Sequence, residues 1–499
     1  MRSYPLPHTP VPVQHAFPML RRLPLMLCLT FALGACASDA GGKGNGPRIF
    51  MTTQDQSVLF EEMPAVKAKA SACITISDTK TGRPVAGFGP ALTGASCYNL
   101  LRMPQAERTA LLKELFDPAE GLGMSLVRCS IGASDFSVDE DFTWCDTPGL
   151  EHFAVHPEDR DYLFPILREV YAINPGLQII GSPWSCPRWM KQESVEDGTP
   201  HPEWRGGSLK RSCYGDYARY FVKWIETMQS EGFSIFAITP QNEPLHAGNS
   251  MSLYMTWAEQ SAFVGTALGP ALRDAGLDTR ILVFDHNYNY DRIKDQKDYP
   301  LHIFADSLAT RYVTGSAWHN YGGSVSELDH IRTAAPDKEI YFTEASIGSW
   351  NYDFPKCLIR DFQSIFLGTL ARGGQGVTLW NLALDEHNRP FRPRGCSTCY
   401  GVITVSSEDA SILSRNSQYY DLAHCSKVVK PGAEMLQCSA PALPGIEYLA
   451  FANPDGSTGV LILNESDADL VLSLRQSGQK EVRCLSAAHS IVSVLLPSR

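Results

Sequence analysis

The 499-residue chain has no excess of positive charge: 43 Lys plus Arg stand against 54 Asp plus Glu, a net charge of −11. That balance gives no electrostatic footprint for a nucleic acid. Charged residues make up only 19 % of the chain and hydrophobic residues 44 %, which excludes wholesale disorder, a coiled coil and a collagen-like fibre. There is no HExxH, no Walker loop and no dinucleotide fingerprint, so no metal and no cofactor are expected. Beyond residue 33 no apolar run reaches the ~18 residues of a membrane-spanning helix, and the mature body is expected to be soluble.

The N-terminal segment is a leader. Arg21 and Arg22 precede the apolar run Leu23–Leu33, too short to span a bilayer and suited to a signal peptide. It ends in Leu33-Gly34-Ala35-Cys36, which resembles the bacterial lipobox. Residues 1–35 then read as a lipoprotein signal peptide, with Met1 or Met19 as the start. Cys36 is the lipidated residue and 36–47 a Gly-rich tether. The expectation is an exported bacterial lipoprotein held at the periplasmic face or cell surface by lipid on Cys36. Ordinary secretion with cleavage nearby is the alternative. Of 14 Cys, 12 lie beyond Cys36, and export permits disulfides. Cys396-Ser397-Thr398-Cys399 is a lone CxxC; a zinc ribbon needs a second pair, so a loop disulfide or two free thiols is expected.

Between residues 85 and 430 apolar runs alternate with amphipathic stretches. The runs are Gly87–Thr93, Met124–Ile131, Leu177–Trp184, Phe233–Thr239, Ile281–Asp285, Gly315–His319, Glu339–Phe342 and Gly376–Trp380. Helical stretches include Pro104–Phe116, Arg160–Ala172, Asp216–Ser230 and Leu253–Ala275, with Asp216 as a cap and Gly276 after a last turn. Eight β runs with intervening helices count out an α/β fold, a (β/α)8 barrel over 85–430; a doubly wound open sheet is the competing arrangement. Residues 48–84 and 431–499 are β-rich, with the runs Val58–Phe60, Cys73–Ile76, Tyr448–Phe451, Gly459–Leu463, Leu470–Leu474 and Ile491–Leu496, and Asn453-Pro454-Asp455-Gly456 reads as a hairpin turn. The two ends are expected to pair into one β-sandwich beside the barrel.

Barrel enzymes carry their reacting groups at strand C-termini. The fourth run ends in Thr239-Pro240-Gln241-Asn242-Glu243-Pro244 and the seventh in Tyr341-Phe342-Thr343-Glu344-Ala345-Ser346. Two carboxyls across a barrel mouth are the minimum equipment for glycoside hydrolysis with retention: one attacks the anomeric carbon, the other protonates the leaving oxygen and later deprotonates water. An isolated Glu is usually solvated or salt-bridged, so the argument rests on the pair at matching strand ends. The 10 % aromatic content suits stacking on sugars, though most such rings belong to a core.

At these residues the sequence resembles glycoside hydrolase family 30, the glucosylceramidase family. The matching segments run along nearly all of the mature chain: Gly87–Thr93, Arg128 with Ala133–Ser137, Ser182–Lys191, Thr239–Pro244, His319-Asn320-Tyr321, Thr343–Gly348, Trp380–Leu384, Tyr419–Val429 and Asn453–Gly456. The resemblance implies a barrel fused to a sandwich, Glu243 as acid/base, Glu344 as nucleophile, and Arg128 and Tyr321 bonded to the nucleophile. It implies Asp135, Trp184, Asn242, His319, Tyr321 and Trp380 around the cleaved glucose. Alone, each has a plainer reading: a loop cap for Asp135, core packing for the tryptophans, a buried hydrogen-bonded ring for His319. Trp144 and Asp146 are expected to border the leaving-group side. Gly94 stands where the glucosylceramidase pattern is acidic, so a carboxylate–sugar contact there is not expected.

The stretches Ala91–Leu100 and His319–Gly323 look closest to bacterial enzymes similar to endo-β-1,6-glucanases. The expected substrate is a β-linked glucan or glucoside, glucosylceramide-type or β-1,6-linked, with no obligate protein partner. A β-xylosidase or xylan hydrolase is the alternative within the family. A catalytically silent carbohydrate-binding lipoprotein is the alternative outside enzymes.

Overall fold

The computed structural model describes residues 46–498. The leader, Cys36 and the first part of the tether lie outside the described residues. Among the described residues, no helix is long and apolar enough to cross a membrane.

The eight apolar runs all form parallel strands: β1 (Gly87–Pro90), β2 (Leu126–Ser130), β3 (Gln178–Ser182), β4 (Ile235–Ile238), β5 (Arg280–Asn287), β6 (Val313–His319), β7 (Glu339–Glu344) and β8 (Gly376–Leu379). They pair in order from β2 through β8 to β1. The ring closes where Ala91 bridges Arg128 and the Leu92 N–H donates to the Arg128 carbonyl at 2.8 Å. The open-sheet alternative is excluded.

Side chains alternate along a strand, and this layers the barrel interior. Leu126, Ile180, Ala237, Leu282, Ala317 and Tyr341, one from each of β2 to β7, form an apolar plug. Two residues further along come Arg128, Ser182, Thr239, His319 and Thr343, a polar layer above it. Strict alternation would place Phe284 in that layer on β5. A register shift between Phe284 and His286 against β6 puts Asp285 there instead. Bulges of this kind re-aim side chains beside active sites. Phe284 and Asp285 both have positive φ, 77° and 63°, as such a distortion requires.

The helices bury one stripe against the strands. Tyr214–Ser230 buries Tyr217, Phe221, Trp224, Ile225 and Met228, the i, i+3/i+4 spacing of an amphipathic helix. Asp216 is not its cap: the helix begins earlier, after Cys213, and Asp216 sits in the first turn, where a carboxylate still favours the helix dipole. Gly276, at φ 70°, ends Gly269–Asp274, with the Leu277 N–H returning to the Leu272 carbonyl, the left-handed stop that glycine provides.

The chain ends share one nine-stranded sheet, which includes Arg48–Thr53, Leu59–Met63 and Ala72–Lys80 from the N-terminal side and six strands from Glu434–Ser439 to Ser490–Leu496. Glu434–Ser439 and Val482–Ser486 are strands the sequence pattern left unread. Along Thr458–Asn464, Val460 and Ile462 join the sandwich core, while Leu461 and Leu463 join the barrel core. One strand therefore welds the two units through its two faces. The helix Ser417–Val428 lies in the seam, and its His424 accepts or donates to Thr52 Oγ1 at 2.9 Å and Ser493 Oγ at 2.8 Å.

Candidate active site

Arg128 is fully buried and organises the barrel mouth. Its Nη1 donates to Glu344 Oε2 at 2.5 Å; its Nη2 donates to Asp285 Oδ2 and Asn242 Oδ1, both at 2.7 Å. Asp285 takes further donors: Ser182 Oγ at 2.7 Å, Thr239 Oγ1 at 2.8 Å and Thr343 Oγ1 at 2.6 Å. The His319 ring spans the two acids, Nε2 at 3.0 Å from Asp285 and Nδ1 at 3.2 Å from Glu243 Oε1. Tyr321 O–H donates to Glu344 Oε1 at 3.0 Å. One carboxyl oxygen each of Glu243 and Glu344, together with a His319 ring nitrogen, lie within 4.8 Å of one another. That trio is also the arrangement a cation would use. Here each acid already has protein donors.

The electrostatics follow from these contacts. Despite burial, Arg128 and then His319 hold Asp285 well below the usual carboxylate range. Burial alone would lower His319, but Glu344, Asp285 and Glu243 raise it to about 9. Burial takes the neighbouring His286 ring down to about 4. Burial and then Glu344 raise Asp135 to about 7.

Two further residues of the site carry left-handed backbone. Glu243 has φ 43° and Asn381 φ 52°, values non-glycine residues seldom adopt and that cluster at functional sites. The Glu243 conformation is held by its own N–H on the Asp285 carbonyl at 3.0 Å and by Asn242 N–H on the Pro183 carbonyl at 2.8 Å.

A cavity of about 570 Å³ opens above the pair; Asp135, Glu243, Tyr321, Glu344 and Trp380 line it. Asn242, His319 and Trp184 lie one layer behind. Trp184 stacks on Trp380 with centroids 5.0 Å apart, and the Arg128 guanidinium lies over both rings. Trp144 and Asp146 do not reach the cavity. Trp144 is core, its Nε1 donating to Asp159 at 2.6 Å, and Asp146 caps its own loop by accepting from Thr143. At Gly94 a Cβ would meet Glu158 Oε1 at 2.3 Å, so a carboxylate from elsewhere fills that space. It is spent on the Val138 and Asp139 amides. Cys396 and Cys399 form a disulfide in the loop that walls the cavity, which excludes the free-thiol alternative.

Sequence reasoning missed Asp285, His246 and His286. His246 Nδ1 lies 3.0 Å from Glu243 Oε2, three residues along the same loop. The available signal for Asp285 was a carboxyl directly ending an apolar strand run.

Residues 85–429 match the Glycosyl hydrolase family 30 TIM-barrel domain, and residues 432–494 the Glycosyl hydrolase family 30 beta sandwich domain. The chain belongs to glycosyl hydrolase family 30. This family 30 enzyme is a retaining O-glycoside hydrolase. It is 32 % identical to an endo-1,6-beta-D-glucanase of Neurospora crassa over 85 % of this chain and 88 % of that protein. It is 26 % identical to the lysosomal acid glucosylceramidase of Mus musculus over 85 % of this chain and 83 % of that one. Among solved structures it matches the endo-beta1,6-glucanase BT3312 at 44 % identity and a TM-score of 0.88, covering 91 % of this chain and 100 % of that chain.

Proposed function

We propose that the enzyme cleaves β-1,6-linked glucan within the chain, with Glu344 as nucleophile and Glu243 as acid/base. The observation that carries the roles is the unequal seating of the two carboxyls. Glu344 accepts from a guanidinium and a phenol, which aim it, and burial raises its pKa while His319 and Arg128 oppose that rise. Glu243 faces only histidine rings.

Charge balance supports the same assignment. The strongest pull toward ionised Glu243 comes from His286, but that ring is neutral above about pH 4. Arg128 and His319 then remain as the buried cations bonded to Asp285, Glu344 and Glu243, while the half-exposed His246 reaches Glu243 alone. Asp285 and Glu344 bond directly to Arg128 and match both charges. Glu243 has no guanidinium and sits within reach of a second carboxylate, which disfavours its charge. In the resting site its histidine contacts pull it down against burial; the proton-donor role rests on the absence of a guanidinium and on the Glu344 carboxylate beside it.

In the first step a Glu344 oxygen attacks the anomeric carbon as the bond to the leaving oxygen breaks, and that oxygen takes the Glu243 proton. In the second, Glu243 removes a proton from water, whose oxygen displaces Glu344. Two inversions give retention. The glucosyl ring rests against Trp380, with Asp135 available to its hydroxyls. Trp184 Nε1, buried without an acceptor among the described residues, can donate from behind. The choice of β-1,6-glucan rests on the names of the relatives at 30 to 44 % identity, against 26 to 28 % for glucosylceramidases. Lipid on Cys36, supported by the lipobox, would keep the enzyme at the membrane surface facing a polymer too large to import.

The test is a product profile on β-1,6-glucan, β-1,3-glucan, xylan and glucosylceramide, with the first-formed anomer followed by NMR. The expected result is a ladder of β-1,6-linked oligosaccharides released first as β-anomers. Turnover of xylan or glucosylceramide alone would overturn the substrate, and no turnover anywhere would favour the silent binding protein.

A further inference from the structure

Beside the catalytic cavity lies a second one of about 420 Å³, and the two share Tyr321 and Trp350 as a wall. We propose that this second cavity binds one glucosyl unit of the substrate chain remote from the bond that is cut. The proposal rests on the β-glucan reading above.

Trp350 is the first reason. Its side chain is unusually open for a large aromatic, 48 % exposed, yet it is firmly seated. The ring lies over Gly348, where a Cβ would stand 2.0 Å from a ring carbon and 2.3 Å from the Thr398 carbonyl. The Ser349 N–H donates to that carbonyl at 2.9 Å, and Gly348 bridges Cys399. The loop after β7 and the disulfide loop thus hold the indole between two cavities, its face available to the C–H face of a sugar.

The lining is the second reason. Asn320, Ser324, Ser346, Asn351 and Gln418 bring amides and hydroxyls to the cavity. Gln418 is 1 % exposed; its Nε2 donates to Asp361 at 3.1 Å, while its Oε1 has no partner among the described residues. A buried amide oxygen without a donor is costly, and a sugar hydroxyl supplies one. The cation on this wall, Arg360, pairs with Asp361 at 2.9 Å, so an anion finds no free partner charge. A neutral, hydroxyl-rich ligand with one apolar face fits. The volume lies in the range of small-molecule sites, about 300–1,000 Å³.

Ser324 is exposed on the loop after β6 and touches only the second cavity, so Ser324→Trp fills it without entering the catalytic one. In the wild type, kcat/KM on β-1,6-linked gluco-oligosaccharides should rise with chain length. Ser324→Trp should keep kcat/KM within about twofold on the shortest substrate cleaved, or on an aryl β-glucoside, and lose about tenfold of the gain on long ones, the worth of one modest contact. Asn351→Ala should lose a smaller part. Titrating Glu344→Gln protein, with and without Ser324→Trp, with the same oligosaccharides reads binding apart from turnover. The proposal is overturned if short and long substrates fall equally, if the length gain survives Ser324→Trp, or if the wild type shows no length gain. If the wild type cleaves another glycan instead, the proposed substrate fails, and the same length series on that glycan still decides the cavity.

Discussion

His319 at the barrel mouth and His424 at the seam with the sandwich are both fully buried, yet their rings behave oppositely. His319 sits among Glu344, Asp285 and Glu243 and is raised to about 9. His424 sits between two hydroxyls, and burial lowers it to about 3. Burial alone removes charge; burial among carboxylates creates a stable ion. The seam is therefore a neutral, hydrogen-bonded joint, and the barrel mouth is a charged device built on Arg128, His319 and the carboxyls around them. The sandwich core beyond the seam is aliphatic, built on residues such as Ile74, Val460, Ile462, Leu472 and Val492.

The strongest way to break the contrast is to remove the charges that react. Glu344→Ala should cut turnover by roughly 10⁴-fold or more, because no covalent intermediate can form. Glu243→Ala should spare much of the first step on activated aryl glucosides, which need little protonation. Azide should then rescue Glu243→Ala with a β-glucosyl azide, and Glu344→Ala at best with the α-anomer. NMR of the products checks this, and the opposite pairing would mean the roles are exchanged.

Next in size, Asp285→Asn leaves Arg128 and His319 short of a counter-charge. Orphaning a buried ion costs about 3–5 kcal/mol, so a urea melt should show a loss of that order together with lost activity. Thr52→Val at the seam, which removes one neutral bond to His424, should cost only about 1 kcal/mol.

The two histidines should also give opposite pH dependences of stability. His319 has a folded value above its ordinary 6.5, so its contribution is complete below about pH 6.5 and is lost as pH rises through about 9. His424 has a folded value below 6.5, so its contribution is present above about pH 6.5 and is lost as pH falls toward 3. His319→Gln should flatten the alkaline limb and His424→Asn part of the acid limb, by up to a few kcal/mol each. His286, lowered by burial to about 4, keeps a share of the acid limb. Denaturant melts from pH 4 to 9 check both signs.

The smallest effect on turnover is sought at Tyr321→Phe. It deletes one hydrogen bond to a charged partner, worth about 1.5–3 kcal/mol, so kcat should fall roughly 10- to 100-fold with the fold intact. A fall as large as that of Glu344→Ala would make Tyr321 more than an orienting group.

Much of the fold was legible because burial writes itself into the chain. The eight strands of a closed barrel are apolar runs, and the two reactive glutamates end two of them, Ile235–Ile238 by way of a short loop and Glu339–Glu344 directly. The short strands Glu434–Ser439 and Val482–Ser486 are not legible alone because each is only five or six residues long, carries a charge, and depends on its neighbours for pairing. The sequence does not place Trp144 for a related reason: a tryptophan in a loop after a strand looks the same in sequence whether it faces a ligand or the core.

By itself, then, the sequence determined the periodicities, the eight barrel strands, and which carboxyls stand at strand ends, since these are local properties of the chain. Only the tertiary structure decided which groups share charge. Asp285 enters the polar layer because a bulge against β6 breaks the alternation of β5. His246 and His286 reach Glu243 because its loop turns through a left-handed backbone, and Glu158 fills the space left by Gly94 from 64 positions away in the chain. Such neighbours are set by packing between distant segments, and the protonation of a buried group depends on those neighbours more than on its own residue type.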